Sequence, residues 1–498
     1  MNVNPITRLD YPDLDVIRVE DTYYMVSTTM HFMPGCEILQ SFDLVHWEHV
    51  TYVYETLDHT DAQQLKSGQN IYGQGMWAAS LRYHEGRFYI CFVANDTRKT
   101  YLYTSEKIDG PWKKQLIEGF YHDGSLLFDE DGRNYIVYGN DEIWITELNE
   151  DLTAPKKDGL HRLLVSDHKN PKLGYEGSHI QKINGYYYIF LVHSLRDRWM
   201  RTEACFYSDS LEGEFTGGDV LCDDRGYCGQ GVAQGGIVDT PDGKWYAMLF
   251  QDSGAVGRIP ILLPVTWKDH FPIFGQNGHV PEEIEVHSTR PGYIYQPLVG
   301  SDDFCNGLLP RWQFNHDPDP RYYHLDALQG TYTITTREVC TELTQAVNTL
   351  TQRMSYPSCA AEVTVDASAL KEGDVAGLCA LQGCYAAVGI TKHHGKYEVL
   401  MLDKKEDGIL DMTEGTVVES HQMDFRLEAD FCNMKDEARC YYRVNKGDWL
   451  PIGNVHKLYF KLDHFTGCRF GLFCYAAEET GGSACFRDFK YYDVDEIS

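Results

Sequence analysis

Five side chains capable of chemistry or sugar binding recur at nearly constant distances before a repeated tyrosine. Each tyrosine lies in the second strand of a segment that reads as a strand, a tight turn and an aromatic-rich strand. The tyrosines are Tyr24, Tyr89, Tyr135, Tyr188 and Tyr246. The residue eleven positions before the first tyrosine and those twelve positions before the other four are, in chain order, Asp13, Trp77, Asp123, Glu176 and Gln234.

Three carboxylates and an indole, if they are brought into one concavity, suit the hydrolysis of a glycosidic bond. Clustered carboxylates repel one another and lose solvation, so a purely structural purpose is implausible. One carboxylic acid would protonate the leaving oxygen, and a second carboxylate would activate water or attack the anomeric carbon. The third would set the pKa and the orientation of the acid. The indole offers a flat platform for the C–H face of a sugar.

The strand pattern predicts where these side chains lie. Short apolar or alternating runs separated by Gly, Asp and Asn turns fill the chain, and helical periodicity is nearly absent, which predicts an all-β fold. The repeated tyrosines are 65, 46, 53 and 58 residues apart, the length of a four-stranded propeller blade. We therefore predict a five-bladed β-propeller over residues 1–300. The first strand of each blade lines the channel, so the five residues should form a ring at one end of it.

Asp13 competes with Asp15 and with the alternative of an ordinary turn before a strand. The stretch YPDLDVIRV places both acids between a proline and a strand-like run. A strict count of twelve from Tyr24 would select Pro12, so the ring position of Asp13 requires a shorter hairpin in the first blade. Asp15 would share the channel side by the period of a strand and would at most shape the surroundings of Asp13.

The repeat stops near residue 300, and the remainder predicts a second domain. Runs such as GTYTITT and KYEVLML are typical of sandwich strands, so we predict a β-sandwich of jelly-roll type over residues 301–498. Ten of the 15 cysteines lie there, and the chain has no CxxC pair and no zinc-type Cys/His spacing. Reduced buried thiols and a start without signal-peptide features favour a cytoplasmic protein.

The charge balance excludes some partners. A formal net charge of −30 repels phosphate backbones and anionic lipid, so we expect neither nucleic acid nor a membrane as a partner. A neutral sugar is unaffected by that field.

The blade segments resemble glycoside hydrolase family 43. The stretches similar to its successive blades are YPDLDVIRVEDTYYMVSTT, WAASLRYHEGRFYI, HDGSLLFDEDGRNYIV, YEGSHIQKINGYYYIF and GGIVDTPDGKWYAMLF. SDDFCNGLLPRWQFNHDPD is similar to the start of the jelly-roll domain in xylosidase-like members. The resemblance implies an inverting mechanism. In it Asp13 is the general base, Glu176 is the general acid, and Asp123 modulates the pKa and orientation of that acid.

The resemblance also implies contacts with the substrate. Arg258 would lie near the acid pair, Trp77 and Phe32 would wall the subsite for the terminal sugar, and Gln234 would be a further contact. Many relatives carry a histidine in the slot of Gln234, often with a channel metal or water network. A neutral amide replaces that ligand poorly, so we assign no metal ligands and expect no required cofactor, with a structural calcium ion as the alternative.

The expected activity is the exo-acting release of α-L-arabinofuranose, β-D-xylose or both from arabinoxylan or xylo-oligosaccharides. Two alternatives stay open. An endo-arabinanase would need an open groove, and a non-catalytic carbohydrate-binding propeller would have no use for three clustered carboxylates. The sequence separates neither the two pentoses nor the oligomeric states.

Overall fold

The computed structural model describes residues 2–413 and 415–493, which form mostly antiparallel strands. Five four-stranded sheets follow one another, each paired in chain order. Blade one contains Asp15–Val19, Thr22–Val26, Gly35–Ser41 and Glu48–Tyr54. Blade two contains Met76–His84, Arg87–Ala94, Lys99–Ser105 and Lys113–Ile117. Blade three contains Ser125–Phe128, Asn134–Asn140, Glu142–Leu148 and His161–Ser166. Blade four contains Glu176–Ile183, Tyr186–Ser194, Arg201–Ser208 and Thr216–Leu221. Blade five contains Val232–Asp239, Trp245–Asp252, Arg258–Lys268 and Phe271–Phe274. The predicted five-bladed propeller is confirmed.

The start of the chain closes the ring of blades. Asn2–Val3 pairs with Glu283–Ile284, a short strand that follows blade five. The side chain of Asn4 donates to the carbonyl of Leu262 at 2.8 Å and accepts from its N–H at 3.0 Å. A buried apolar cluster that includes Tyr23 and Met248 then joins the first blade to the fifth.

Two further sheets form the second domain, which confirms the predicted β-sandwich. The nine-stranded sheet contains Phe32–Met33, Gln313–Asn315, Leu350–Arg353, Val375–Leu381, Ala386–His393, Lys396–Lys404, Leu410–Met412, Thr416–Val418 and Arg469–Tyr475. The seven-stranded sheet contains Tyr323–Asp326, Thr331–Thr335, Ser358–Asp366, Gln422–Asp430, Glu437–Val444, Leu450–Lys457 and Ser483–Asp493. Four 3₁₀ turns complete the described elements, at Lys66–Gly68, Gly254–Val256, Leu343–Gln345 and Cys432–Met434.

The propeller and the sandwich share a strand pairing. The propeller strand Phe32–Met33 lies at the edge of the nine-stranded sheet, where Asn315 pairs with Phe32. A buried ion pair also crosses the interface, with Arg353 Nη1 2.8 Å from Glu37 Oε2. The two domains therefore pack through backbone hydrogen bonds as well as side chains. The division at residue 300 stays a prediction, and it falls in the connection between Ile284 and Gln313.

All 15 cysteines are unpaired, and most are buried. Among the described residues, no helix has the length and apolar character needed to cross a bilayer. The cytoplasmic location stays a prediction.

Candidate active site

The strand register defines a ring at one end of the propeller channel. Each repeated tyrosine pairs with a residue of the first strand, for example Tyr24 with Ile17 and Tyr135 with Leu127. The residue four positions before each partner has a positive φ, between 29° and 66°. We call these residues the inner ring: Asp13, Ala78, Asp123, Gly177 and Gln234.

Two ring positions predicted from the sequence are therefore wrong by one residue. Trp77 and Glu176 directly precede their inner-ring residues. The tyrosine lies seven residues after its partner in blades one, two and four, and eight residues after it in blades three and five. A constant count of twelve therefore suits only the two blades with longer hairpins. The first blade is not an exception, because blades two and four have the same short separation.

A bulge nevertheless brings Glu176 to the ring. The pairing of its strand shifts register between Glu176 and His179, so the backbone bends at Gly177. The N–H of Gly177 donates to Asp123 Oδ2 at 2.9 Å. A side chain at Gly177 would lie 2.8 Å from Cγ of Gln234, so only glycine fits both this spacing and φ +66°.

Asp13 is held by three donors, one from the first blade and two from the fifth. Gln234 Nε2 and Arg258 Nη1 each lie 3.0 Å from its Oδ1, and the Thr28 hydroxyl donates to its Oδ2 at 2.7 Å. The residue is 8% exposed. Its φ of 51° is an uncommon conformation for a residue with a side chain, and asparagine and aspartate tolerate it best. The carboxylate is thus fixed in place, and every described contact donates to it.

Asp123 and His122 lie beside each other with opposite charges. Burial and the charges of Glu176 and Asp13 raise the pKa of Asp123 to about 6, against the lowering effect of His122. The negative charge of Asp123, assisted by Glu176, raises the pKa of His122 to about 9. Their closest atoms, His122 Nε2 and Asp123 Oδ2, are 3.6 Å apart. Near neutral pH the imidazolium therefore offsets part of the charge of the carboxylate cluster.

Glu176 is the most accessible of the three carboxylates. Its side chain is 18% exposed, against 6% for Asp123. One oxygen, Oε2, accepts from Asn140 Nδ2 at 2.6 Å and lies 3.3 Å from His122 Nε2. These two contacts orient the carboxyl group.

A second tier closes the channel beneath the ring. Asp15 Oδ1 lies 3.1 Å from His179 Nδ1, and Asp15 Oδ2 accepts from Arg82 Nη1 at 2.7 Å. Burial opposes ionisation of Asp15, but Arg82 and His179 outweigh it and lower its pKa to about 2. The Arg82 guanidinium also donates to the carbonyl oxygens of Leu126 and Ile180. Asp15 thus belongs to a buried plug, and Asp13 is the acid of the ring.

The remaining predicted residues lie near the border with the second domain. Arg258, which is 1% exposed, contacts Asp13 and also donates to the carbonyl of Phe465 at 3.3 Å. Trp77 lies 5.5 Å from the Phe465 ring by centroid, and its buried Nε1 has no hydrogen-bond partner among the described residues. Phe32 is buried beneath the guanidinium of Arg469, so its role as a subsite wall stays a prediction.

Sequence reasoning missed four residues of this site. No role was predicted for Thr28, Asn140, Phe465 or His122. His122 carried a usable signal, because it directly precedes the ring acid Asp123. Asn140 lies at the end of the second strand of blade three, next to the first-strand ends. Phe465 comes from the sandwich, and no repeat in the sequence connects it to the propeller.

One group of the described residues has metal-ligating atoms close together. Atoms of His122, Asp123 and Glu176 all lie within 4.8 Å of one another. One imidazole and two carboxylates fall short of the six to eight oxygen ligands that calcium takes. The amide nitrogen of Gln234 donates a hydrogen bond to Asp13, and a donor N–H is not a metal ligand. On their own these residues supply too few ligands for calcium, and a bound ion would need water for the rest.

Comparison with known proteins gives a family match for each of the two domains. Residues 3–272 match "Glycosyl hydrolases family 43", and residues 301–492 match "Beta xylosidase C-terminal Concanavalin A-like domain". A "Beta-xylosidase" of Formosa agariphila is 27% identical over 99% of this chain and 89% of its own length. "Xylosidase/arabinosidase 43B" of Humicola insolens is 25% identical over 98% of this chain and 96% of its own.

A solved structure gives the same result for the fold. The "Bifunctional GH43-CE" protein of Bacteroides eggerthii superposes on 100% of this chain with a TM-score of 0.93 and 42% identity. This chain spans 64% of that protein. The propeller, the sandwich and the match over more than half of the sequence together show that the chain belongs to glycoside hydrolase family 43.

Proposed function

We propose that the chain is an inverting, exo-acting pentosidase that releases α-L-arabinofuranose, β-D-xylose or both from arabinoxylan-derived oligosaccharides. The observation that carries the proposal is the different setting of three carboxylates in one funnel. Asp13 accepts from three donors, Asp123 is buried with a raised pKa, and Glu176 is the most exposed. Inversion needs one carboxylate to activate water and another to protonate the leaving oxygen.

Each carboxylate has a role that matches its contacts. Asp13 would take a proton from the attacking water, because a base held by donors is fixed in orientation and can accept. Glu176, whose side chain is accessible beside Asn140, would protonate the glycosidic oxygen. Asp123 binds the N–H of Gly177, the residue that follows Glu176, and so acts on the acid through position and charge.

The contact between the sandwich and the mouth of the funnel favours exo action. Phe465 of the sandwich packs against Trp77 and Arg258 at the mouth. A long polysaccharide crossing the site would have to pass this contact, which argues against an endo-arabinanase. The carboxylate cluster argues against a binding module.

The substrate class rests on the relatives. The names of the relatives from Formosa and Humicola include a xylosidase and an arabinosidase. The acidic chain does not repel neutral oligosaccharides made of these sugars.

We propose that hydrolysis needs no bound cofactor, since a base, an acid and water complete the reaction. Dialysis against EDTA should leave the initial rate unchanged. A loss of rate that Ca²⁺ restores would contradict this point.

The experiment that tests the assignment uses two substrates of different leaving ability. Glu176→Ala should reduce kcat on xylobiose by about 10²–10⁴-fold and reduce it much less on 4-nitrophenyl pentosides, because nitrophenolate leaves without a proton. Asp13→Asn should reduce kcat on both substrates equally. Glu106→Ala is the matched control, since that side chain is 82% exposed on blade two. Normal turnover of xylobiose by Glu176→Ala would overturn the proposal.

A further inference from the structure

We propose that Trp199 is the stacking platform for the sugar unit on the leaving-group side of the cleaved bond. The ligand class is a pentopyranose residue of a xylan-type backbone. This inference rests on the proposed function, because it uses Glu176 as the acid that protonates the leaving group. That acid must face the leaving sugar, so the leaving-group subsite lies on the side of blade four.

Trp199 lies on that side of the site. It belongs to the connection between the second and third strands of blade four, which leaves the sheet at Ser194 and returns at Arg201. Glu176 pairs with Val192 of the same sheet, two residues before the connection. The connection therefore emerges from the same end of the blade as Glu176.

One face of the Trp199 ring packs against the guanidinium of Arg201, which we call its support. The guanidinium carbon of Arg201 lies 5.4 Å from the centroid of Trp199 and 5.3 Å from that of Phe250. Asp252 fixes Arg201 through a 2.7 Å bond to Nε, and Arg201 is 6% exposed. Trp199 itself is 46% exposed. A large indole backed by a buried cation and otherwise open to solvent has the form of a carbohydrate platform.

The support also lies within reach of the catalytic charges. Burial opposes the charge on Arg201, but Asp252, together with the charges of Glu176 and Asp13, raises its pKa. The guanidinium carbon of Arg258, which contacts Asp13, lies 5.5 Å from the centroid of the same Phe250 ring. Phe250 therefore connects the support of Trp199 to the Asp13 cluster and places the indole at the rim of the same funnel.

The connection that carries Trp199 is ordered by its own contacts. The N–H of Leu195 donates to the carbonyl of Met200 at 3.1 Å, and Arg196 Nη1 donates to the carbonyl of Asp167 at 2.7 Å. Little conformational freedom is then lost when a sugar stacks on the ring, so binding would not have to order the loop.

The test compares substrates with and without a leaving-group sugar. The quantity measured is the ratio of kcat/KM for xylotriose, or arabinofuranosyl-xylotriose, to kcat/KM for the methyl glycoside of the same terminal pentose. Trp199→Ala should lower this ratio about tenfold, and Trp199→Phe should restore most of it. Tyr83→Ala is the matched control. Tyr83 is 45% exposed and packs against Phe88, but it lies in blade two at the opposite mouth of the channel.

A binding measurement separates this inference from the proposed function. Titration of xylotriose into Glu176→Gln by calorimetry should give a Kd about tenfold lower than titration into Glu176→Gln with Trp199→Ala. A Kd and a kcat/KM ratio that both stay within about twofold of the parent would overturn the platform while leaving the hydrolase assignment intact. Failure of the wild-type chain to cleave any pentoside would instead overturn the proposed function, and the titration would still report on Trp199.

Discussion

Replacing His31 with phenylalanine should make the fold less sensitive to acid. Three histidines, His31, His316 and His464, lie together between the propeller and the sandwich. The His31 ring is 4.9 Å from His316 and 5.9 Å from His464 by centroid. Burial, and then the neighbouring imidazoles, hold the pKa of His31 well below its usual value, and burial lowers that of His464 to about 4. Neither ring nitrogen of His31 has a hydrogen-bond partner among the described residues, so phenylalanine loses no polar contact.

The sign of the effect follows from proton binding. Below about pH 6.5 the unfolded chain protonates these imidazoles while the folded chain keeps them neutral. Stability is therefore unaffected above that value and falls as the pH is lowered toward the folded pKa. At pH 5, each imidazole with a folded pKa below 5 costs about 2 kcal/mol of stability, since one pKa unit corresponds to about 1.4 kcal/mol.

Urea denaturation at pH 7.5 and pH 5 measures this contribution. His31→Phe should gain up to about 2 kcal/mol over the wild type at pH 5 relative to the same comparison at pH 7.5. Any packing strain from the larger ring would shift both values equally. Buried acids such as Asp317, whose pKa burial raises to about 6, act in the opposite direction. For that reason the difference between the two chains is compared, and not the stability of either one.

A surface histidine provides the control, and the same titration can refute the reasoning. His287 is 68% exposed, so His287→Phe should change stability equally at both pH values. If the difference between the wild type and His31→Phe is the same at pH 7.5 and pH 5 to within about 0.5 kcal/mol, the account of buried neutral histidines is wrong.

Three further changes probe other parts of the structure. Asp15→Ala leaves the buried Arg82 without its carboxylate and should cost about 3–5 kcal/mol in urea denaturation; a cost under about 1 kcal/mol would show that the plug is not an ion-pair network. Phe465→Ala removes the sandwich contact with Trp77 and Arg258 and should raise KM for pentosides about tenfold, with the melting temperature nearly unchanged; an unchanged KM would remove the second domain from the site. His122→Gln removes the cation beside Asp123, so the pH–rate profile of kcat/KM should move to higher pH on its acid side, and an unshifted profile would contradict the coupling.

The architecture and most of the site could be predicted from the sequence, because repeats expose equivalent positions. Hairpin signatures gave the five blades, and Asp13, Asp123 and Gln234 were placed in the inner ring. Trp77 and Glu176 were misplaced by one residue, because a residue count across a hairpin changes when the turn is one residue shorter or longer. The strand register that corrects this is set by backbone pairing, which a count of residues does not contain.

Contacts between distant segments lay beyond the reach of the repeat. Phe465 contacts Arg258 across 207 positions of sequence, and the sandwich obeys no period that relates it to the propeller. The charge state of His122 could not be predicted either, because it depends on how deeply Asp123 is buried. Propensity and periodicity describe neighbours along the chain and on one sheet face. The Phe465 contact and the charge of His122 depend instead on packing between sheets.

The configuration of the first sugar released tests the central claim most directly. Proton NMR of the reaction during its first minutes distinguishes the two anomers before mutarotation mixes them. With Asp13 as a base acting on water, the account predicts a product of inverted anomeric configuration, β from an α-L-arabinofuranoside or α from a β-D-xyloside. A first product that retains the configuration of the substrate would contradict it, because a carboxylate would then have attacked the sugar itself.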